Sequence, residues 1–598
     1  MGGALEQLHR LEPLRRRISW LRLAAFLSAS GAFFAYAWVP HVGFRAAWVV
    51  GTVSIAAFVA LVAWQRRISR RITTWKNLVA ACRQGRARID RRWPELREID
   101  EPSIDEGSAL AADLDILGQG SLYRLTGGAY TVRGRQTLAR WLLVPAEAEE
   151  VVARQQLVAE LRDRTDLLLE MRSLTAELSK TPADPGPFLA WAEGDPWLSS
   201  HRGVLWAARL LGPLPILLGV GAALGWIDPV FLILALVVNL LFSKFYAPRV
   251  HQIFDAISAR MGRVEPYAVL LRFVSGLQLA SPRGRSIQTR LSFEQSPAHL
   301  QMKKLERLSS FTDLRLSTAL HRLVQMVSLL DFHLLAWIER WQVRVGPRIA
   351  GWLETLGEFE AIAGLATLAH DNPSFAFPEV ATEGTARFSA RGLGHPLLDP
   401  ATCVRNDVDL GEPGTFLLVT GSNMSGKSSL LRGIGLNAAL ACAGGAVYAD
   451  SLSLTPFALG TRFRVVDSVT EGVSFFMAEL KRLKQIITWA EERASSGEPP
   501  LLFLLDEILQ GTNIIERRVA VAAVLKRLVG LGCLGAVSSH DLTLAEAEGL
   551  AEHAKPVYFT ESFREGKKGR EMYFDYKLRP GLAPTTNALE LLKLVGLA

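Results

Sequence analysis

The fold is decided by the stretch Phe416-Leu417-Leu418-Val419-Thr420-Gly421-Ser422-Asn423-Met424-Ser425-Gly426-Lys427-Ser428. Its first five residues are typical of a buried strand, and residues 430–443 have the composition of a helix. The segment between them has the spacing G-x-x-x-x-G-K-S in strand, loop, helix order. The glycines let backbone N–H groups turn inward around phosphate oxygens, toward which the following helix directs its positive end. The stretch therefore predicts a phosphate-binding loop within an α/β domain.

The loop supplies the candidate nucleotide contacts, which are Gly421, Ser422, Asn423, Met424, Ser425, Gly426, Lys427 and Ser428. We expect Lys427 to reach the β- and γ-phosphates of ATP and the Ser428 hydroxyl to ligate Mg²⁺. The alternative is a chance match in a glycine-rich turn, which the flanking strand and helix argue against. The loop thus predicts ATP and Mg²⁺ as cofactors.

Two further apolar runs end in polar residues that suit the same site. Residues 501–505 lead to Asp506 and Glu507, and residues 535–539 lead to His540. We expect Asp506 to bind Mg²⁺ and Glu507 to polarise the attacking water as a general base. Taken alone, an apolar strand that ends in acids is a weak signal, and a lone histidine after a strand is more often an ordinary polar residue. Combined with the loop, they predict an ATPase in which Glu507, Lys427 and His540 are catalytic and Ser428 and Asp506 hold the metal.

Composition limits the remaining possibilities. The chain has 598 residues, of which 49% are hydrophobic, and its mean hydropathy is +0.18. It is therefore too apolar to be disordered and somewhat apolar for a soluble enzyme. Its four cysteines are far apart and form no Cys-x-x-Cys pair, which argues against a disulfide scaffold or a zinc ribbon.

The positive charge is concentrated in one segment. The formal net charge is +8, and residues 66–97 contain eleven Lys or Arg against two acids. The rest of the chain is therefore close to neutral. Because the basic segment directly follows an apolar one, it indicates a membrane surface before it indicates nucleic acid.

Four uncharged apolar stretches predict membrane spans. Residues 23–40 and 46–64 form one pair, separated by Pro40-His41-Val42-Gly43, and residues 210–227 and 229–243 form a second. Their lengths approach the ~20 residues that a helix needs to cross a bilayer. Arginines flank the outer ends of the first pair, which places those ends in the cytoplasm. The expectation is a multi-pass protein of the cell (inner) membrane, in contact with the lipid bilayer, with a cytoplasmic ATPase domain.

Two other interpretations of the apolar stretches remain. Ala35-Tyr36-Ala37 resembles a signal-peptide cleavage site, although a signal peptide needs no second apolar segment directly after it. Buried core helices are the other alternative, which the short second pair allows more readily than the first.

The predicted fold class is α plus α/β, with six consecutive parts. A transmembrane hairpin (1–66) and a basic juxtamembrane segment (67–117) precede the first part of a helical core (118–200). A second transmembrane hairpin (201–249) and further core or lever helices (250–371) follow. The chain ends in a P-loop ATPase domain of the ABC type (372–598), whose start is marked by a change to short apolar runs with Gly and Pro.

Several motifs resemble those of the MutS family of DNA mismatch-repair ATPases. The matching stretches are Gly394-His395-Pro396-Leu397, Asn406-Asp407-Val408-Asp409-Leu410, 420–428, Ser474-Phe475-Phe476-Met477-Ala478-Glu479, Asp506-Glu507-Ile508, Gly511-Thr512, Ser539-His540 and 576–589. Residues 118–180 are similar to the start of the family's helical core, and Trp352 to Ala369, followed by Asn372-Pro373, to its return; the whole resemblance covers about 118–180 and 345–598. The chain is therefore identified as a membrane-anchored, MutS-like protein.

The resemblance implies a homodimer that binds DNA. Family ATPase domains pair head to tail, and a serine from the other subunit completes each site; that residue would be Ser474 here, acting in trans. A helix N-cap is the ordinary alternative for Ser474. Two features depart from the family. The chain has no Phe-x-Glu mismatch wedge, and it has Cys403 and Val404 where many relatives place an aromatic residue against adenine.

Two functions follow from these expectations. The first is a membrane-anchored ATPase that binds DNA in mismatch repair or related DNA metabolism. The alternative is a membrane-bound dimeric ATPase that acts as a mechanochemical scaffold on a protein or membrane partner. DNA binding would require the basic residues of 250–345 to converge on one face; an ABC transporter fits the motifs less well.

Overall fold

The computed structural model of the chain describes residues 2–38, 44–96, 102, 108–175, 184–294, 296–310, 318–382, 384–463, 475–498, 500–510, 513–566 and 569–583. It is mostly helical, with mixed sheets in its C-terminal part. The helices are α1 (Gly2–Trp38), α2 (Phe44–Ile89), α3 (Ser108–Asp113), α4 (Leu122–Leu125), α5 (Val132–Leu143), α6 (Ala148–Arg162), α7 (Thr165–Thr175), α8 (Gly186–Glu193), α9 (Trp197–Ser200), α10 (Arg202–Leu211), α11 (Leu214–Ala223), α12 (Pro229–Ser275), α13 (Pro282–Arg290), α14 (Ala298–Ser310), α15 (Thr318–Ser328), α16 (Leu330–Asp371), α17 (Lys427–Ala443), α18 (Phe475–Ser496) and α19 (Ile514–Gly530). The strands are β1 (Ser292–Phe293), β2 (Ser296–Pro297), β3 (Glu379–Val380), β4 (Phe388–Leu393), β5 (Asn406–Asp409), β6 (Phe416–Thr420), β7 (Ser451–Leu454), β8 (Leu459–Arg462), β9 (Leu502–Asp506), β10 (Leu534–Ser538), β11 (Ala554–Tyr558), β12 (Glu561–Gly566), β13 (Gly569–Phe574) and β14 (Arg579–Pro580).

The first two helices form an antiparallel pair. Lys76 of α2 lies 3.0 Å from Glu12 of α1, and the hydroxyls of Ser28 and Ser54 are 3.0 Å apart. The turn predicted at 40–43 lies outside the described residues. Apolar side chains on both helices point outward, including Trp20, Phe26, Phe33, Trp48 and Val59.

The C-terminal end of α2 is buried against the rest of the chain. Arg88 donates to the Asp371 carboxylate at 2.9 and 2.7 Å. Arg91 donates to Asn372 Oδ1 at 2.8 Å and to the Pro396 carbonyl at 3.1 Å. The basic segment 66–97, interpreted from sequence as a membrane-surface feature, thus uses these two arginines for internal contacts. α2 also continues without a break past residue 66, where the sequence placed a domain boundary.

A second apolar unit comprises α10, α11 and the first part of α12. Asp228 caps α12, because its carboxylate accepts a hydrogen bond from Val230 N at 2.9 Å. Asn239 is buried and donates to the carbonyls of Leu211 and Met326 at 3.2 and 3.0 Å. Within the described residues, three stretches are long and apolar enough to cross a bilayer: Trp48–Ile89, Arg202–Ala223 and Pro229–Phe254.

The helical core is organised around α16, a 42-residue helix. Gly346 of α16 allows close approach to α8, because a Cβ there would lie 2.0 Å from the Ala192 carbonyl. Glu360, farther along α16, accepts hydrogen bonds from Thr131 N and Oγ1 at 3.1 and 2.7 Å at the start of α5. Burial raises the pKa of Glu360 to about 7. α16 ends at Asp371, where the α/β part begins.

The α/β part is built on a six-stranded sheet with the order β14-β11-β6-β10-β9-β8. All strands except β14 are parallel, and the apolar residues of β6, β8, β9 and β10 are buried, as expected for a sheet covered by helices. The register aligns Ser538 with Val419 and Asp506. The segments that follow β6, β9 and β10 therefore meet at one edge. A four-stranded sheet, β3-β7-β4-β5, and a hairpin of β12 and β13 complete this part.

Candidate functional site

The segment 421–426 between β6 and α17, here called the glycine loop, needs glycine at two positions. Gly421 and Gly426 have φ of +139° and +109°, a region that other residues rarely adopt. A Cβ on Gly421 would lie 2.6 Å from the Phe559 carbonyl, and one on Gly426 would lie 3.2 Å from the Tyr576 ring. The loop therefore depends on both glycines for its conformation and for its contacts with the chain beyond β11.

Lys427 begins α17 and points into the glycine loop. Its side chain is only 4% exposed, and its ammonium donates to the carbonyls of Gly421 and Ser422 at 3.1 and 3.0 Å. The same ammonium lies 3.3 Å from Glu507 Oε1. A buried cation is thus placed at the centre of the loop and paired with an acid from a different strand.

The positions of Asp506 and Glu507 follow from the order of the strands in the sheet. Asp506 ends β9 and accepts a hydrogen bond from the hydroxyl of Ser538, its partner on β10. Glu507 comes next, with φ of +45°, and its N–H donates to the Ser538 carbonyl and hydroxyl at 3.2 and 3.0 Å. Ser538 therefore holds both acids at the carboxyl edge of the sheet, on the side of Lys427.

Glu507 is surrounded by donors. Its Oε1 lies 2.9 Å from His540 Nε2, and its Oε2 accepts a hydrogen bond from Gln510 at 2.6 Å. His540 Nε2 also lies 3.0 Å from Asn423 Oδ1 of the glycine loop. Cation, acid and imidazole thus form one contiguous cluster whose members come from the loops after three adjacent strands.

Asn423, Lys427 and Glu507 of this cluster line a cleft of about 740 Å³. Its polar end is formed by Asn423, Lys427, Ser428, Asp506 and Glu507. Ser425 lies inside the loop, and its buried hydroxyl has no hydrogen-bond partner within the described part of the chain. A buried polar group of this kind is costly unless a ligand satisfies it, so it fits a polar group bound in the loop.

The other end of the cleft is largely apolar. Leu398, Cys403, Val404 and Tyr576 are among its lining residues. Asn406 fixes the tyrosine segment, since its amide donates to the Tyr576 carbonyl at 3.0 Å and accepts from Leu578 N at 2.8 Å. An aromatic ring therefore reaches this end of the cleft from the C-terminal segment.

His395 lies beside the apolar end. Burial, followed by the positive charge of Arg432, lowers the pKa of His395 to about 4. Its ring accepts a hydrogen bond from Leu397 N at 3.3 Å. At neutral pH this side chain is therefore an uncharged part of the wall.

The structure brings together every predicted site residue that it describes. Ser474 lies outside the described residues, directly before the start of α18. Sequence reasoning missed three contributors, which are Tyr576, Gln510 and Ser538. Tyr576 belongs to a stretch quoted only for its resemblance, and the other two are ordinary polar residues whose relevance depends on which strands are neighbours.

Fold and cleft together define the class: an α/β domain whose charged and polar loop residues gather at the carboxyl edge of a parallel sheet, attached to a largely helical body. Residues 417–598 match the family model described as MutS domain V. The resemblance to the MutS family seen in the sequence is confirmed for this domain.

Individual relatives cover the same part of the chain. A DNA mismatch repair protein MutS from Thermotoga petrophila is 28% identical over 40% of this chain and 29% of its own length. MSH3 from Coccidioides immitis is 32% identical over 41% of this chain and 21% of its own length. Endonuclease MutS2 from Thermomicrobium roseum is 33% identical over 35% of this chain and 25% of its own length. The chain thus spans less than a third of the length of these relatives.

Proposed function

We propose that this chain is a membrane-anchored, dimeric ATPase of the MutS family that acts on DNA. The observation that carries the ATPase proposal is the 3.3 Å approach of the Lys427 ammonium to Glu507 at the mouth of the glycine loop. A buried lysine and an acid that follows another strand of the same sheet are the groups that phosphate binding and water activation require.

The triphosphate is assigned to the glycine loop. Its backbone N–H groups, the Ser425 hydroxyl and the Lys427 ammonium supply donors for phosphate oxygens, in agreement with the unpartnered state of Ser425. Ser428 and Asp506, both lining the cleft, offer the oxygen ligands that Mg²⁺ prefers. When bound there, Mg²⁺ would neutralise charge on the phosphates.

The base is assigned to the apolar end of the cleft. Tyr576 offers an aromatic ring there, in the same lining as Cys403 and Val404. Stacking on aromatic rings is a common way to hold a base. Tyr576, from the C-terminal segment, would therefore stack on the base in place of an aromatic residue at 403 or 404.

Hydrolysis is assigned to Glu507. Its carboxylate accepts the proton of a water that attacks the γ-phosphorus, while the bond from that phosphorus to the β–γ bridging oxygen breaks and ADP leaves with phosphate as the other product. Lys427 stabilises the charge that develops on the phosphate oxygens. His540 contacts both Glu507 and Asn423 of the loop. It is therefore suited to sense the γ-phosphate and orient the acid.

A homodimer is supported by exposed apolar side chains at the cleft and on α19. Met424 is 83% exposed, and Ile514, Ile515 and Val519 of α19 are also exposed. Exposed apolar clusters are typical of interfaces. Ser474 remains assigned to the partner subunit's site by family resemblance, and a mixed dimer with a Lys427 variant would test that assignment.

The membrane anchor is supported by the exposed apolar faces of α1, α2, α11 and α12, which no described element covers. Arginines 66, 67, 70 and 71 follow the apolar part of α2. Outward-facing apolar residues followed by arginines suit a bilayer and its anionic surface. We therefore place both hairpins in the cell (inner) membrane and the α/β domain in the cytoplasm.

Lys427→Ala tests nucleotide binding. The variant loses an ammonium that would make charge-assisted hydrogen bonds to phosphate, each worth about 1.5–3 kcal/mol. Affinity for a fluorescent ATP analogue is therefore expected to fall about 10- to 100-fold, measured by titration of the detergent-purified protein. Lys484→Ala, on the exposed face of α18, is the matched control. Parental affinity in the Lys427 variant would contradict the assignment.

DNA binding is the less constrained part of the proposal. Two of the basic residues that would have to face DNA, Arg283 and Arg290, instead form ion pairs with Glu150 and Glu358 at 2.5–3.3 Å. The side chains of Arg260 and Arg263 lie outside what the structure describes. The ion pairs favour the second candidate, a dimeric ATPase that acts on a protein or membrane partner.

A binding panel separates the two candidates. We expect duplex and branched DNA to bind at low salt, with affinity falling steeply as salt rises, and a mismatched duplex to bind no better than a matched one. Lys303→Ala with Lys304→Ala, both exposed on α14, should lower the salt slope by up to about 2. If none of these DNAs binds at low salt with or without ATP, the second candidate replaces the first.

A further inference from the structure

Glu479 of α18 is a buried acid that contacts the segment carrying Glu507. Its side chain is fully buried, and its Oε1 lies 2.6 Å from Arg462 Nη2 at the end of β8. The same oxygen accepts a hydrogen bond from the backbone N–H of Leu509 at 2.6 Å. One carboxylate oxygen therefore connects β8, α18 and the segment 507–510, which we call the acid loop.

The acid loop has an unfavourable backbone. Glu507 and Leu509 have φ of +45° and +59°, and neither is glycine. Such conformations cost on the order of 1–3 kcal/mol each and persist only where the surroundings enforce them. Ser538 holds the start of the loop through Glu507 N, and Glu479 holds it two residues farther on. The orientation of Glu507 thus depends on contacts at both ends of the loop.

The Glu479 side of this support is itself fixed. Thr461 Oγ1 and Phe463 N, on either side of Arg462, donate to the carboxylate of Asp113 at 2.9 and 3.3 Å. Arg462 is therefore held at the end of β8, and Glu479 is held between it and Leu509. By contrast, Glu491 on the same helix pairs with Arg527 at the surface.

We propose that Glu479 is a positioning residue: through Leu509 N it fixes the acid loop and so sets the orientation of Glu507, and it couples that orientation to the placement of α18. The inference rests on the proposed ATPase function. Because α18 begins directly after Ser474, a shift of this helix reaches the acid loop through the hydrogen bond from Leu509 N to Glu479. Assembly of the dimer can thereby regulate hydrolysis through the orientation of Glu507, while the glycine loop keeps its place.

Two replacements separate positioning from simple stabilisation. Glu479→Gln removes the charge that pairs with Arg462 but keeps an oxygen that accepts from Leu509 N, whereas Glu479→Ala removes both. Since displacing a reacting group by about 1 Å can cost on the order of 100-fold, we expect the Ala variant to lose about 10- to 100-fold in kcat. The KM for ATP should stay within about twofold, and the Gln variant should recover most of kcat. Glu491→Ala is the matched control and should match the parent.

Hydrogen exchange of the acid loop gives a readout independent of hydrolysis. In the full-length protein in detergent, amides of 507–510 should exchange faster in the Ala variant and at the parental rate in the Gln variant. Equal kcat losses in the Ala and Gln variants, or unchanged kcat and exchange in the Ala variant, would overturn the proposal. If the parent itself binds ATP but does not hydrolyse it, the ATPase proposal fails, and exchange alone decides whether Glu479 orders the loop.

Discussion

Glu507→Gln is expected to reduce the rate of ATP hydrolysis by about 10²- to 10⁴-fold while ATP affinity stays within a few fold. General-base catalysis typically contributes a factor of this size, and an amide cannot accept the proton of the attacking water. The glutamine keeps the shape of the side chain and an oxygen that can face Lys427 and His540, which lie 3.3 and 2.9 Å from Glu507 Oε1. The loss should therefore appear in kcat.

The measurement is phosphate release under saturating ATP, combined with titration of a fluorescent ATP analogue. Glu498→Gln is the matched control, because Glu498 lies before the amino end of β9 and pairs at 2.7 Å with Arg493. It should hydrolyse ATP at the parental rate. Turnover in the Glu507 variant above about half of the parental value would refute the assigned role. Loss of binding along with turnover would show that Glu507 supports the cleft and does not act as the base.

The cleft could be predicted from the sequence where it depends on local pattern. The glycine loop follows a strand and opens a helix, so its position at a sheet edge follows from that order alone. Lys427, Asp506 and Glu507 could be predicted to meet because parallel strands carry their following loops to one edge. Their distances are now known, while their catalytic roles remain predictions.

Other parts depend on partners that the sequence does not reveal. Tyr576 lies about 150 residues beyond the glycine loop, and only the folded chain shows that its ring reaches Gly426. Glu479 appeared within a family-like stretch, yet its hydrogen bond to Leu509 N depends on how α18 packs. In both cases the contact joins two segments that are far apart in the sequence, and no pattern in either segment indicates that they meet.

The basic segment 66–97 illustrates the same limit. Its charge excess could be counted, but a count does not distinguish arginines that face lipid from arginines that pair internally. Arg88 and Arg91 are buried in the structure, whereas Arg92, their neighbour, lies at the surface. The difference arises because the end of α2 meets the end of α16, a contact between residues about 280 positions apart.

Arg88→Met is expected to destabilise this contact by about 3–5 kcal/mol, the usual cost of breaking a buried ion pair by removing one partner. The side chains of Arg88 and Asp371 are only 4% and 9% exposed and lie 2.7 Å apart. Burial, followed by the positive charge of Arg172, lowers the pKa of Arg88, and Asp371 opposes both effects. Without Arg88, the carboxylate at the end of α16 loses the two hydrogen bonds that the guanidinium donates.

Hydrogen exchange of the ends of α2 and α16 measures this cost directly, because local opening there need not unfold the whole chain. Protection in 83–92 and 365–372 should fall by about 100-fold or more, since each 1.4 kcal/mol corresponds to a factor of ten. Arg92→Ala, which breaks only exposed pairs, should change protection by less than about 1 kcal/mol. Arg88→Met combined with Asp371→Leu should restore most of the protection, because the double replacement leaves no unpaired charge. Unchanged protection in Arg88→Met would mean that the Arg88–Asp371 ion pair does not hold the end of α2 against α16. The proposed membrane helices would then be attached to the α/β domain only through the other contacts of α2.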